Sequence, residues 1–452
     1  MKIIIVGLGK VGQTLAAELS SEDCDITVID HKESVVEEFA SQYDIMGLVG
    51  NGASYSTQME AGVETADLLI AVTGSDELNL LCCLIAKKAG NCHTIARVRN
   101  PEYSSELNYI KEELGLAMVI NPELAAAGEI ARVLKYPSAI EVDSFAKSRV
   151  ELLKFRVPER SFLDEQKIVD ISNRIKKNIL ICAIERGNEI IIPDGNFRLK
   201  ARDLVSIVGS SVEANDFFRQ IGFVSNQVKS IMITGGGTIA YYLAKMLTPS
   251  GVKVKIIEKN LERCDKLCEL LPKATIVHGD GTDKDLILEE GLKRTEAFAA
   301  LMNIDEENIL LSLYAKKVGK MKVITKINRI SFDEVIQELD LDTVIHPKNI
   351  TSEHIIRYVR SMKNSLGSNV ETLHRIINNK AEALEFIIHE DSRVTGIALQ
   401  DLRIRKGILV ACISRRGQVI IPRGRDTIQR GDTVIIITRQ TGLNDIRDIL
   451  EK

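Results

Sequence analysis

Residues 3–12 read Ile-Ile-Ile-Val-Gly-Leu-Gly-Lys-Val-Gly and residues 231–240 read Ile-Met-Ile-Thr-Gly-Gly-Gly-Thr-Ile-Ala, so one apolar run and glycine turn returns at an offset of 228. Thr27-Val28-Ile29-Asp30 returns at the same offset as Lys255-Ile256-Ile257-Glu258. After a slip of one residue, Gly50-Asn51-Gly52 answers Gly279-Asp280-Gly281, and Asp76-Glu77-x-Asn79 answers Asp305-Glu306-x-Asn308. The register of 229 then persists: Ile190-Ile191-Ile192-Pro193 pairs with Val419-Ile420-Ile421-Pro422, and Asp203-x-Val205 with Asp432-x-Val434. A module of about 225 residues is therefore present twice. At 452 residues the chain exceeds what a single core supports, and roughly 100–200 residues per unit predicts three or four.

Each module changes texture part-way. Its first 135 or so residues alternate Ile/Val-rich runs with helical patterns such as Gly12 to Leu19 and Asn79 to Ala89, the pattern of successive βαβ units. Beyond Tyr136-Pro137 come short strand candidates, Glu151 to Phe155, Ile179 to Ile184, Glu189 to Ile192 and Val205 to Val208. The expected fold is α/β: two tandem repeats, each a Rossmann-like doubly wound parallel sheet followed by a smaller α+β lobe. The expected bounds are 1–136 and 137–222 in the first repeat and 228–362 and 369–452 in the second, with Ser365-Leu366-Gly367-Ser368 as a linker.

Composition narrows the function. With 59 basic and 63 acidic residues well mixed, the net charge of −4 does not suit a nucleic-acid-binding surface that relies on bulk positive charge. The amino terminus runs straight into an apolar stretch ending in Gly7, which predicts a first strand rather than a signal peptide. No uncharged apolar run approaches the roughly 18–20 residues of a membrane span, so any membrane association is expected to come through a partner, without direct insertion. Eight cysteines lack metal-ligand spacing, no metal site is expected, and Cys264 and Cys268 would share a helix face as reduced thiols.

The glycine turns carry the chemistry. Gly7-x-Gly9-x-x-Gly12 follows an apolar strand, opens a helix and precedes Asp30, 18 residues after Gly12, at the end of a second strand. In such a turn Gly7 permits the reversal, Gly9 lets backbone approach a pyrophosphate, and Gly12 lets helix and strand close up. An acid at Asp30 would take ribose hydroxyls and repel a 2′-phosphate, which favours NAD over NADP. Gly235-Gly236-Gly237-x-x-Ala240 and Glu258 predict a second site, with Lys10 in the first loop and Thr238 in the second giving the two different preferences. Asn51 and Asp280 follow the third strand of each half at the same crevice. Thr73-Gly74-Ser75-Asp76 would either meet ligand or cap the next helix, and Arg97 and Arg99 would alternate along a fifth strand.

No catalytic set stands out. Tyr241-x-x-x-Lys245 lies on the helix after the second glycine loop, where packing is the expected role, and the seven histidines share no repeated position. An NAD-dependent oxidoreductase acting on a small substrate is the alternative function; a transcription factor lacks a basic recognition helix.

The duplicated glycine loop, the acid ending the second strand, the Thr73 to Asn79 stretch, Ala96-Arg97-Val98-Arg99-Asn100-Pro101 and the β-rich unit that follows resemble the TrkA family of Trk potassium-uptake proteins over essentially the whole chain. That resemblance implies tandem RCK (also called KTN) modules with no catalytic chemistry. It implies a cytoplasmic regulatory subunit, peripheral on the inner face of the membrane and homotetrameric. Its partner would be a membrane potassium channel subunit of the TrkH/TrkG type, gated through conformational changes that NAD or NADH and often ATP or ADP drive. Carried onto matching positions, the family's contacts fall on Gly7, Leu8, Gly9, Lys10, Val11, Asp30, Thr73, Gly74 and Val98, then on Gly235, Gly236, Gly237, Thr238, Ile239 and Glu258. Two departures stand out: the family's Gly-Asp after the third strand is Gly50-Asn51 here, although Gly279-Asp280 keeps it, and Met302-Asn303 stands where Thr73-Gly74 does.

Overall fold

A computed structural model describes the chain except residues 21, 23, 104–105, 147–148, 188, 224–226, 329–335, 337–338, 340, 365–369, 377–380, 441–442, 444 and 452, and the side chains of 361, 363–364 and 370–376. The linker expected at Ser365 to Ser368 lies outside the described residues.

The first module opens with β1 (Lys2–Val6), α1 (Lys10–Ser20), β2 (Asp25–Asp30), α2 (Glu33–Gln42), β3 (Met46–Val49), α3 (Tyr55–Glu60), β4 (Leu68–Ala71), α4 (Asp76–Ala89), β5 (His93–Arg97), α5 (Leu107–Glu113), β6 (Met118–Ile120) and α6 (Pro122–Val133). The strands form one sheet in the order β3-β2-β1-β4-β5-β6 with parallel pairing throughout. Order reverses beside β1, which opens a crevice at the carboxyl ends of β1 and β4. The central strands are apolar without alternation because helices cover both faces: Ile3, Ile4, Ile5, Val6 and all of β4 are at most 2% exposed. Helix α4 carries Asp76 and Glu77 in its first turn and Lys87 and Lys88 in its last, matching the helix dipole. It begins three residues before the apolar period, because Ser75 accepts the Leu78 amide at 3.1 Å and caps it.

The β-rich part follows as β7 (Glu141–Phe145), β8 (Val150–Arg156), α7 (Ile168–Ile175), β9 (Ile179–Arg186), β10 (Glu189–Ile191), β11 (Leu204–Gly209) and α8 (Ser211–Gln220), an antiparallel sheet in the order β10-β9-β11-β8-β7. Strand β7 escaped the sequence reading because only Val142 and Phe145 of its five residues are buried apolar groups, as befits an edge. Phe155 packs against Phe217, Phe218 and Phe223 at centroid distances of 5.5–5.9 Å, fastening α8 to the sheet.

The second module repeats the first as β12 (Ser230–Thr234), α9 (Thr238–Leu247), β13 (Lys253–Glu258), α10 (Leu261–Leu270), β14 (Thr275–His278), α11 (Lys284–Glu289), β15 (Ala297–Ala300), α12 (Asp305–Val318), β16 (Lys322–Lys326), β17 (Thr343–Ile345) and α13 (Pro347–Asn364). Its sheet order, β14-β13-β12-β15-β16-β17, reproduces that of the first. The chain ends with β18 (Val370–Ile376), β19 (Ala381–Ile387), β20 (Ile408–Arg415), β21 (Gln418–Ile420) and β22 (Thr433–Thr438), ordered β18-β19-β22-β20-β21.

In space, like associates with like. One compact unit holds Met1–Ile130, Ser230–Gly319 and Ile324–Ile356, hence most of both parallel sheets; the other holds Ala131–Lys229, Lys320–Val323 and Arg357–Lys452. Within the second unit the antiparallel lobes share a core in which Val150, Leu152, Cys182 and Val208 meet Ala383, Ala411, Cys412 and Ile435. Cys264 and Cys268 do not share an environment: Cys264 is buried and Cys268 exposed.

One ion pair is repeated in the antiparallel lobes. Arg186 donates Nε and Nη2 to the two oxygens of Asp203 at 2.8 Å each, and Arg415 does the same to Asp432. Both aspartates are at most 2% exposed, and each is held by its arginine together with a backbone amide, that of Lys200 or Gln429. Asp203→Ala should lower the stability of its lobe by on the order of 3 kcal/mol in denaturant unfolding, whereas Glu159→Ala, whose exposed partner is Arg202, should change it by under about 0.5 kcal/mol.

Candidate functional site

Each parallel sheet ends in the same turn. Gly7 adopts φ +99° and Gly235 φ +94°, conformations natural only to glycine, and their amides donate to the carbonyls of Ile29 and Ile257. The next amide donates to the acid at the end of the second strand: Leu8 to Asp30 Oδ2 and Gly236 to Glu258 Oε2, both at 2.6 Å. A Cβ at Gly12 would fall on the Gly7 carbonyl, while one at Gly9 or Gly237 would meet nothing within 4 Å. The open positions are therefore the ones facing the crevice. Helices α1 and α9 begin at Lys10 and Thr238, so their unpaired amides lie beside the open glycines and favour an anion.

The first crevice is a cavity of about 960 Å³. Gly7, Leu8, Gly9, Lys10, Val11, Asp30, Asn51, Thr73 and Gly74 all line it, together with Val35, Ser75 and Arg97. Gly12 and Val98 do not: Gly12 acts in packing, and Val98 is fully buried in the hydrophobic core behind β5. The charged lining consists of Lys10, Lys32, Arg97 and Lys348 against Asp30 and Glu123, an excess of positive charge suited to a phosphorylated ligand. Asn328, Pro347 and Lys348 come from the second Rossmann lobe, so the first crevice is built by both.

Asn79 was legible in the motif but had no role assigned to it. Fully buried, it accepts the Thr73 amide at 2.7 Å and donates to the Arg97 carbonyl at 2.9 Å, tying the ends of β4 and β5 together. Asn308 repeats this between Met302 and Lys326. Asp76 accepts the amides of Arg99 and Asn100 at 2.8 Å each. Strand β5 stops at Arg97, so Arg99 lies beyond it rather than within it; even so, the two guanidinium groups reach the same rim, at the Thr73 and Gly74 carbonyls. Burial pushes the Arg97 guanidinium below its usual range, an effect that neighbouring Arg99 reinforces, and burial raises the Glu123 carboxyl.

The second crevice keeps the scaffold and changes its walls. Arg263, at the position of Val35, donates Nε to the Gly236 carbonyl at 2.8 Å. Lys259 bonds Asp280 at 2.7 Å and, with the Thr282 amide and hydroxyl, holds its carboxyl at about 2. Asn303 accepts Lys326 Nζ at 3.3 Å, and Met302 replaces the hydroxyl of Thr73. Tyr241 and Lys245 form a local pair on α9, Nζ lying 3.5 Å from the phenol oxygen. Glu123 and Lys348 went unassigned in the sequence reading, yet they are counterparts: Asn121-Pro122-Glu123 and His346-Pro347-Lys348 each follow the last strand of their sheet.

A duplicated Rossmann fold with two glycine turns and paired accessory lobes defines the class to which the chain belongs, that of tandem Rossmann-plus-accessory-lobe proteins. It matches the TrkA-N domain over residues 3–122 and 231–347 and the TrkA-C domain over 152–222 and 383–451. A Trk system potassium uptake protein TrkA homolog of Archaeoglobus fulgidus is 34% identical over 99% of this chain and 100% of its own. The TrkA protein of Haemophilus influenzae is 32% identical over 96% and 95%. Among solved structures, the GsuK channel bound to NAD superposes with a TM-score of 0.63 at 16% identity, covering 97% of this chain and 76% of that one, a likeness of fold. The chain belongs to the TrkA family of potassium-uptake proteins.

Because a methyl at Gly9 meets no protein atom, Gly9→Ala should melt like the unsubstituted chain yet lose at least about tenfold in nucleotide affinity, whereas Gly12→Ala should lower the melting temperature. The lowered carboxyl of Asp280 means that its bonds contribute fully above the ordinary aspartate value of about 3.9 and are lost as the pH falls through about 2. Lys259→Ala should move that titration upward, read from the Asp280 carboxyl signal by NMR.

Proposed function

We propose that this chain is the nucleotide-binding regulatory subunit of a potassium-uptake system. The observation that carries the reading is the first crevice, where an open glycine, a helix amino terminus and an excess of lysine and arginine face a cavity of about 960 Å³. NAD or NADH fits the acid at Asp30, which Leu8 and Lys32 orient through two amides while leaving lone pairs for ribose hydroxyls. ADP and ATP are the further ligands, and the site residues are those named above, in lobes at 1–136, 137–222, 228–362 and 369–452. The names of the relatives supply the system, and solved GsuK channel structures with NAD or ADP bound supply precedents for the ligands.

The mechanism needs no bond to be made or broken. A nucleotide that touches both Rossmann lobes binds one arrangement of them better than another and shifts the population by that difference in affinity. The partner is a membrane channel subunit of the TrkH/TrkG type, on whose inner, cytoplasmic face a homotetramer of this chain sits. No helix among the described residues is long and apolar enough to cross a membrane.

Calorimetric titration with NAD, NADH, ATP and ADP should show saturable binding without turnover, with Gly9→Ala and Gly237→Ala each removing one site. Exchanging nucleotide in vesicles that contain the channel partner should change potassium flux. Absence of binding by the unsubstituted chain, or flux indifferent to nucleotide, would overturn the proposal.

A further inference from the structure

We infer that Tyr242, a residue of the second Rossmann lobe, is a positioning residue for nucleotide binding in the first crevice. The inference rests on the reading of that crevice as a nucleotide site.

Tyr242 is 2% exposed on α9, one turn beyond the second glycine loop. Its hydroxyl accepts Asn121 Nδ2 at 3.0 Å and donates to the Arg99 carbonyl at 3.3 Å, so the phenol's donor and an acceptor position are both engaged across the lobe boundary. Each partner holds a piece of the first crevice. The Oδ1 of Asn121 accepts the Leu124 amide at 2.8 Å and caps α6, whose first residues, Pro122 and Glu123, line the cavity. Arg99 donates Nη2 to the carbonyl of Gly74, which also lines the cavity, and is anchored through its own amide to Asp76. The Tyr242 hydroxyl thus fixes two walls of a site to which its own side chain does not belong.

The arrangement has no mirror image. The counterpart of Tyr242, at an offset of 228, is Thr14, whose hydroxyl donates to the Lys10 carbonyl of its own helix at 3.0 Å. The Tyr242 tie therefore runs in one direction, from the helix of the second glycine loop to the wall of the first crevice, and Thr14 does not return it. The hydroxyl of its neighbour Tyr241 meets Lys245 of the same helix while its ring packs on that of Tyr242 at a centroid distance of 5.3 Å, so Tyr241→Phe, which keeps the ring, provides an internal control.

The test uses the full-length chain with ADP and NAD as probes. In a Gly237→Ala background, where only the first crevice binds, Tyr242→Phe should raise the dissociation constant about tenfold, as expected for two hydrogen bonds of ordinary net strength. In a Gly9→Ala background, where only the second crevice binds, the same change should stay within about twofold. Tyr241→Phe should leave both unchanged. Equal weakening of both crevices by Tyr242→Phe would mark the residue as a plain structural support for α9 and overturn the inference, as would an unchanged first crevice. A parent chain that binds neither probe would instead overturn the nucleotide reading itself, so the two failures are distinguishable. Should Tyr242→Phe melt early, Asn121→Ser, which removes the donor from the other side, carries the same comparison between crevices.

Discussion

The hydrogen bond from the Leu8 amide to the Asp30 carboxylate fixes everything else at the first site, and the bond from Gly236 to Glu258 does so at the second. It ties the glycine turn to the end of the neighbouring strand at 2.6 Å, with the carboxylate also accepting an amide two residues on, from Lys32 or Asn260. A charged acceptor between two amides is stronger than a neutral one, and it sets where the helix amino terminus points. The acid therefore does two things: it shapes the loop from within and presents its remaining lone pairs to the crevice. Removing it would disturb both, which is why the open glycines separate ligand binding from loop geometry more cleanly.

Duplication supplied two such scaffolds, and their walls have diverged. Lys10 against Thr238, Val35 against Arg263, Asn51 against Asp280, Thr73 against Met302 and Glu123 against Lys348 all alter charge, polarity or shape at the rim. By contrast, the residues that set strand and loop geometry are kept: Asn79 and Asn308, Asp76 and Asp305, Arg186 with Asp203 and Arg415 with Asp432. Equal frames with unequal linings are what two sites of different preference require. The first crevice takes Asn328 and Lys348 from the other lobe, so a ligand bound there would touch both lobes and its affinity would be coupled to their arrangement.

The parallel sheets and the glycine turns were legible because they rest on local signals: unbroken apolar runs, turn glycines at fixed spacing, and a repeat that reinforces each assignment. What was not legible depended on distance in space. Nothing local distinguishes the edge strand β7, with two apolar residues, from a loop. Val98 sits next to ligand-lining residues in sequence yet faces the core, because the chain leaves the strand at Arg97. Lys348 lies 338 residues from Lys10 in a cavity they share, and only the folded arrangement brings them together. The equivalence of Pro122-Glu123 and Pro347-Lys348 emerges only once the strands are placed, because the shorter segment before β17 displaces the repeat register there.

The central claim is that a nucleotide in the first crevice is held by both Rossmann lobes. Hydrogen exchange of the full-length chain with and without ADP tests it most directly, since amide protection reports each segment separately. The account predicts slower exchange at residues 8–12 and 73–76 together with 347–350 of the second lobe, at the same ADP concentration. Protection confined to the first lobe, with 347–350 unchanged, would contradict it.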